Sequence, residues 1–250
     1  GVYWTAEVSL PPMRRSQAVE WQSFLLELNG TVNHFKFADP DALTNTGTYS
    51  TGHLTSELRT NSSSVTLSFS GSTITAGAST FGSAKVGDFI VVTGATNEDN
   101  NGTHKIADGG LTSATEVVTT STFTTESNTA SCKVRTNVKG ATGLCLLAST
   151  NAASGTIKKG DYLQIQSAAN TTATPTQIVM VTEDATATAD GAKDFYGVAI
   201  QPKLRSDLAT GHYAVFTNPK GTFRLISNEV SWSADRISNY GISFSCIEVI

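Results

Sequence analysis

The stretch Val2-Tyr3-Trp4-Thr5-Ala6-Glu7-Val8-Ser9-Leu10 alternates at period two. Val2, Trp4, Ala6, Val8 and Leu10 share one face, and Tyr3, Thr5, Glu7 and Ser9 the other, the pattern of a strand with one buried side. Pro11-Pro12 ends it. The far end of the chain has the same texture: within Gly241–Val249, Ile242, Phe244 and Cys246 oppose Ser243 and Ser245. A sheet protein is the reading that follows.

One helix interrupts the strands. Ser16 is its expected N-cap. Ala18, Trp21, Leu25 and Leu28 form a stripe at helical spacing, with Phe24 beside it. Asn29-Gly30 supplies a stop that tolerates positive φ. The stripe is expected to pack on a sheet, with Trp21 as core rather than ligand platform. His34 to Ala38 then reads as a strand, closing at Asp39-Pro40-Asp41.

From about Leu43 to Ser64 the chain is polar and rich in Thr, Ser and Gly, which reads as loop or linker. Val65 to Thr136 has its own character. Val65–Phe69 alternates, Val86-Gly87-Asp88 is a turn before the apolar run Phe89–Val92, Asn97 to Thr103 is turn-rich, Thr115–Thr124 alternates weakly, and Cys132–Arg135 closes the segment. This is the pattern of a small inserted β-barrel or sandwich. After Gly140 the expected strands are Leu144–Leu147, Tyr162–Gln166, Gln177–Thr182, Phe195–Gln201, Tyr213–Thr217, Thr222–Ile226 and Gly241–Val249. Asn218-Pro219-Lys220-Gly221 is a strong turn signal. The expected division is a discontinuous β domain over 1–45 and 140–250, a linker over 46–64, and an inserted β domain over 65–136. A Lys-x-Gly-Asp-aromatic pattern at Lys85–Phe89, with a looser version at Lys159–Tyr162, is too short to establish a repeat.

Composition agrees with a sheet protein. Charged residues are 15% of the 250, against roughly 25% in an average globular protein. Ser and Thr fill roughly a quarter of all positions, and Thr favours strands. The net charge of −4 and pI near 5.5 lack the basic signature of a nucleic-acid-binding domain. No apolar run has the length needed to span a bilayer, and no stretch reads as a secretory signal. Cys132, Cys145 and Cys246 are too few and too widely spaced for a disulfide framework and read as buried thiols. His34, His53, His104 and His212 make no close ligand pair with them.

No nucleophile elbow, Walker loop, dinucleotide fingerprint or H-E-x-x-H motif is present. The chain is therefore not read as an enzyme, and no catalytic, cofactor-binding or metal-binding residue is assigned. Asn97, Asp99 and Asn101 alternate before Gly102, with Asp108 beyond, approximating a calcium loop. Asn97 stands where Asp is wanted and Lys105 falls at a ligand position, so an Asn-Gly hairpin turn is the preferred reading. Sequons at Asn29, Asn61, Asn101 and Asn170 are no more than this Ser/Thr content gives by chance. A glycan-binding module acting through the insert is the alternative function. Its only aromatics, Phe69, Phe81, Phe89 and Phe123, sit where burial is the simpler expectation.

Several stretches resemble tail-tip structural proteins of long-tailed bacteriophages, the distal tail or tail-hub proteins. They are Leu10-Pro11-Pro12-Met13-Arg14-Arg15, Trp21–Gly30, Phe35–Asp41, Gly197–Arg205, Asn218–Leu225 and Tyr240–Glu248. The likeness covers roughly 1–45 and 140–250. It implies a tail-tube-like β-sandwich or barrel with a flanking helix, and a six-fold ring in the virion, assembled in the host cytoplasm. The implied ring joins the tail tube protein to the tip or receptor-binding apparatus. DNA would pass through its channel without specific binding. The insert resembles small β modules that decorate phage tails; in the alternative reading, where the insert is the functional tip, its partner is a host surface glycan. No functional residue, cofactor or membrane insertion is implied.

Overall fold

The computed structural model describes residues 2–48, 53–56, 64–148, 155–167, 175–190, 193–209, 211–236 and 239–249. Strands hold 51% of the chain and helix 8%, so the protein is mainly β, and its sheets curl into a half-barrel and a nearly closed barrel.

In chain order the first elements are β1 (Thr5–Ser9), β2 (Met13–Arg14), α1 (Arg15–Glu27), β3 (Phe35–Phe37), β4 (His53–Ser56), β5 (Val65–Ala76) and β6 (Phe89–Thr93). Next come β7 (Gly102–Ser113), β8 (Glu116–Arg135), β9 (Gly143–Ala148), β10 (Thr156–Ile157), β11 (Tyr162–Gln166) and β12 (Pro175–Val181). The last are β13 (Ala185–Thr186), β14 (Thr188–Asp190), β15 (Lys193–Gln201), β16 (Tyr213–Val215), β17 (Gly221–Leu225), β18 (Trp232–Ala234) and β19 (Asn239–Glu248).

These form two compact units, Gly1–Asp39 with Lys220–Ile250, and Pro40–Pro219. The first unit is one antiparallel sheet in the order β1-β19-β17-β3, with β2 and β18 also paired to β19. The terminal strands meet as their alternation requires, Ala6 opposite Cys246 and Val8 opposite Phe244. One sheet face carries α1: Ala18, Leu25 and Leu28 are buried with Leu225 and Ile242, and Phe24, Phe35, Tyr240 and Phe244 pack around them. On the other face Thr5, Glu7 and Ser9 are exposed.

The helix starts earlier than its expected Ser16 cap. Arg14 is the N-cap, extended at φ −70° and ψ 156°, and has no capping side chain. Pairing of Arg14 with Asn239 fixes that extended conformation, so tertiary pairing sets the helix start. The C-terminus follows the sequence: Asn29 and Gly30 take φ of 50° and 64°. Thr31 N donates to Asn228 Oδ1 at 2.9 Å, and a Cβ on Gly30 would collide with that same oxygen.

The second unit holds two larger sheets. Seven strands run β12-β11-β16-β4-β9-β15-β14, and because β12 also pairs β15 the pairings complete a circuit. Leu144, Leu146, Leu163, Ile165, Val179, Val181, Tyr196 and Val198 form one buried cluster with these strands. The other sheet is β5-β8-β6-β7, with β7 also on β8. Its cluster includes Leu67, Phe69, Ile74, Ile90, Val92, Ile106, Val117 and Val134. The two expected strands near 115–124 and 132–135 are one twenty-residue strand, β8, whose register against β5 shifts four times. Bulges of this kind let a long strand bend around a small core.

β6 joins the two sheets of this unit. Ile90 and Val92 belong to the β5–β8 cluster, while Val91 belongs to the seven-stranded one. Phe89 packs with Cys145 and Ala199. A strand buried on both faces reads as a continuous apolar run, which Phe89–Val92 is. Two glycines allow the approach: a Cβ on Gly143 would enter the Phe89 ring, and one on Gly197 would strike the Gly87 carbonyl.

The compact units thus divide the chain at other points than the expected domains. Residues 140–219 build their own sheet with β4 and do not join residues 1–39 in one. The expected linker over 46–64 contains β4, which lies between β9 and β16. A strand paired on both sides satisfies its backbone whatever its side chains, so its polar composition hid it. Residues 65–136 do carry their own apolar cluster, but they belong to the same compact unit as the seven-stranded sheet. No described helix is long and apolar enough to cross a membrane.

Candidate functional site

In the first unit, β19 is flanked near Gly241–Ser243 by strands on both sides. Ser9 lies opposite Ser243, and Leu10 N donates to Ile242 O at 2.9 Å. Ser233 lies opposite Gly241 and Trp232 opposite Ile242. The missing side chain at Gly241 leaves the middle low; a Cβ there would come 2.9 Å from Ser233 Oγ. A groove of about 390 Å³ results, lined by Ser9, Leu10, Ser231, Trp232, Ser233, Gly241, Ile242 and Ser243. Trp232 is 51% exposed. The four serine hydroxyls bond to no other group of the described chain, and no charged side chain lines the groove. With no histidine, carboxylate or lysine beside them, these serines have no base to activate them.

Sequence reading named Ser9, Leu10, Ile242 and Ser243 only as strand residues and did not single out Ser231–Ser233. β18 is three residues long and wholly exposed, too short for periodicity to register. The Ser-Trp-Ser alternation at Ser231–Ser233 is the only local signal.

The calcium-like stretch is a turn, with a helical turn at Glu98–Asn100 before β7. Asn97 Oδ1 accepts from Asp99 N at 3.0 Å, and Asn101 Oδ1 from Ala95 N at 2.9 Å. Oxygens held by backbone amides do not converge on a cation, and Asp108 is exposed on β7. The turn is tied down instead by Glu126, unmarked in the sequence reading because it lies 26–30 residues away on β8. Its carboxylate accepts from Thr96 N at 2.7 Å, Asn97 N at 3.1 Å and Asn100 Nδ2 at 3.0 Å, and from the Thr129 hydroxyl. Burial pushes the Glu126 carboxyl up, but these donors outweigh it and hold it at about 2. Asn100 also donates to Thr124 O at 2.9 Å. Beside it, His104 sits between Ser121 Oγ at 3.0 Å and Asn100 O at 3.1 Å, edge-on to Phe123. Burial lowers the His104 pKa, partly opposed by the Asn100 bond.

All three cysteines are buried and none is in a disulfide. Cys145 Sγ accepts from Phe89 N and donates to Phe89 O, both at 3.3 Å. Among the described residues no three His, Cys, Asp or Glu converge as a metal site. Phe69, Phe81, Phe89 and Phe123 are all buried, so none offers a platform. Trp21 is not the buried core residue expected: it is 36% exposed, at the rim of the helix–sheet contact, against Phe24 and Phe244. Of the sequons, Asn29 is spent in the helix stop and Asn101 in the turn; Asn61 and Asn170 lie outside the described residues.

Nine large apolar side chains are exposed among the described residues, and eight lie in the smaller unit: Val2, Tyr3, Val19, Trp21, Leu26, Val32, Ile226 and Trp232. Val19 and Leu26 are seven residues apart on α1 and share its outer side. The strands β1 and β3 each have one unpaired side in this sheet.

The fold and these features define a multi-sheet β protein with a groove of about 390 Å³ and most of its exposed large apolar side chains, among the described residues, in one unit. Comparison of the sequence with protein-family models and with curated proteins finds no match.

Proposed function

We propose that this chain is a structural protein of a long-tailed bacteriophage virion. Copies form a ring at the distal end of the tail, join the tail tube to the tip or receptor-binding apparatus, and leave a channel for DNA. The observation that carries this reading is that eight of the nine large apolar side chains exposed among the described residues belong to the smaller unit. Apolar surface left facing water favours contacts that neighbours cover. Open edges at β1 and β3 add hydrogen-bonding rows that a neighbouring copy can complete. In a closed ring each copy offers one patch to one neighbour and the complementary patch to the other. The mildly acidic chain suits a channel that DNA must leave, since phosphate affinity comes from Lys and Arg. The resemblance of the sequence to tail-hub proteins supplies the virion as the setting.

The test is the mass of the purified chain in solution together with its shape by negative-stain electron microscopy. Closed rings support the reading. A particle of one chain mass across the accessible concentration range contradicts it.

A further inference from the structure

We propose that a cationic band on the larger unit, Lys133, Arg135, Lys139 and Lys203, binds a flexible phosphate polyanion that carries no bases. Charge is unevenly spread along this mildly acidic chain. Residues 127–160 hold no Asp or Glu, yet include Lys133, Arg135, Lys139, Lys158 and Lys159. Lys158 is paired with Asp184 at 2.6 Å. The other cations are gathered by the fold. Lys133 and Arg135 lie opposite Thr93 and Val91 with no shift of register, and Cys132 and Val134 are buried on the other face of β8. Lys133 and Arg135 therefore leave one face of the strand, about 7 Å apart along it. Arg135 Nη1 stands 3.6 Å from Asp207 Oδ2, and Asp207 Oδ1 accepts from Lys139 N at 2.8 Å. Gly140 N donates to Leu204 O at 2.7 Å and Leu204 N to Ala141 O at 2.9 Å, which sets Lys203 beside the same loop. Leu204 is buried, while Lys133, Lys139 and Lys203 are exposed. These three lysines have no ion-pair partner among the described residues.

Arg135 carries an idle donor. Its Nε is buried and bonds to no acceptor, and its 3.6 Å pair with Asp207 is long beside the roughly 2.7–2.9 Å of a charge-assisted bond. A guanidinium in that state lacks oxygen acceptors, and its fork suits two oxygens of one phosphate. The side chain is 31% exposed, so an anion can reach it. The cations stand on three chain segments, so one small ion would meet only part of the band, whereas a flexible chain of linked phosphates can follow it. Proteins that hold single-stranded nucleic acid stack its bases on exposed aromatic rings. The well-exposed aromatic side chains among the described residues, Tyr3, Trp21 and Trp232, all belong to the smaller unit. The band thus offers contacts to phosphates and none to bases.

This surface goes beyond the ring assembly and does not depend on it. The test uses the full chain and isothermal titration with long-chain inorganic polyphosphate, with inorganic phosphate and duplex DNA as comparisons. Polyphosphate is expected to bind with a dissociation constant on the order of 10 μM at about 0.05 M salt. The logarithm of the affinity should fall against the logarithm of salt with a slope of about −3, since each phosphate met by a cation on a flexible chain contributes roughly 0.7. Lys133→Gln with Lys139→Gln should weaken binding about tenfold or more and flatten the slope by about 1.4. Arg135→Lys, which keeps the charge and loses the fork, should weaken binding about threefold with the slope kept. Lys36→Gln, an exposed cation of the smaller unit, should change neither. Circular dichroism and melting temperature should match the unsubstituted chain for all the lysine variants. Four results would each overturn the proposal: no polyphosphate binding up to about 1 mM, an equal loss from Lys36→Gln, duplex DNA bound as tightly as polyphosphate, or inorganic phosphate bound as tightly as the polymer. The third would make the band a nucleic-acid surface, and the fourth a site for a single small anion.

Discussion

Asp88 and Asp161 do the same work at two places. Asp88 Oδ2 accepts from Lys85 N at 2.8 Å, and Asp161 Oδ2 from Lys158 N at 2.9 Å. Asp161 Oδ1 also takes Thr46 N and Thr46 Oγ1, at 2.7 and 2.8 Å. Both aspartates are buried, so their carboxylates rely on these protein donors in place of water. Asp161→Ala should therefore cost about 3 kcal/mol of unfolding free energy in urea, since bonds to a charged acceptor contribute roughly 1.5–3 kcal/mol each and are not additive. Asp161→Asn, which keeps the acceptor oxygen, should cost less. Acid should act on the Glu126–His104 group in two steps. The His104 pKa is lowered on folding, so the unfolded chain binds the proton first. Stability is full above about 6.5, the unfolded value, and declines as pH falls below it. The Glu126 contribution is full above its unfolded 4.5 and is lost as pH falls through about 2. Urea unfolding between pH 8 and 2 should show both slopes, with His104→Gln flattening the first and Glu126→Gln the second.

At the scale of elements, the two aspartates belong to one turn used twice. Gly87 and Gly160 both have positive φ, 83° and 94°. Gly87 N donates to Ile106 O and Ile106 N to Asp88 O; Gly160 N donates to Val181 O and Val181 N to Asp161 O. The second copy begins at Lys158, one residue before the looser match visible in sequence, and each turn leads into a buried strand, β6 or β11. The strands after Gly140 were legible within about two residues, because their alternating or continuous apolar runs are tertiary packing written locally. β10, β13, β14 and β18 were not, since strands of two or three residues carry no period, and the polar β4 is specified by its neighbours. The groove was illegible for a related reason: the three-residue β18 carries no period, and β1 meets β19 only across the length of the chain. Close approach makes a further prediction at this scale. Gly197→Ala would force the Gly87 carbonyl off β15, and overpacking of this kind costs about 1–3 kcal/mol. Thermal melts should show that loss, and amide exchange at Phe89 and Cys145 should accelerate, while a Gly140→Ala control probes only backbone strain at φ 88°.

At the scale of the molecule, β6 serves both sheets of the larger unit, so residues 65–136 are not a pendant module. Excising them would remove Phe89 and Val91 and so uncover Cys145 and Ala199 and the part of the seven-stranded cluster that Val91 packs on. Their role is therefore better tested by surface substitutions than by deletion. The smaller unit has the opposite character, with a modest core under one helix and most of the exposed apolar side chains. If neighbours cover that surface, a charge placed on it should block assembly without unfolding the chain. Leu26→Asp, at a position 63% exposed, should leave the far-ultraviolet spectrum unchanged and reduce the assembled fraction about tenfold or more, since an interface core excludes unpaired charge.

The most direct measurement is the native mass of the unsubstituted chain at tens of micromolar, read alongside end-on electron micrographs of the same sample. A closed ring, six copies of the 26.3 kDa chain around an open centre, is the predicted result. A single uniform species of one chain mass, showing no ring at any concentration reached, would contradict it.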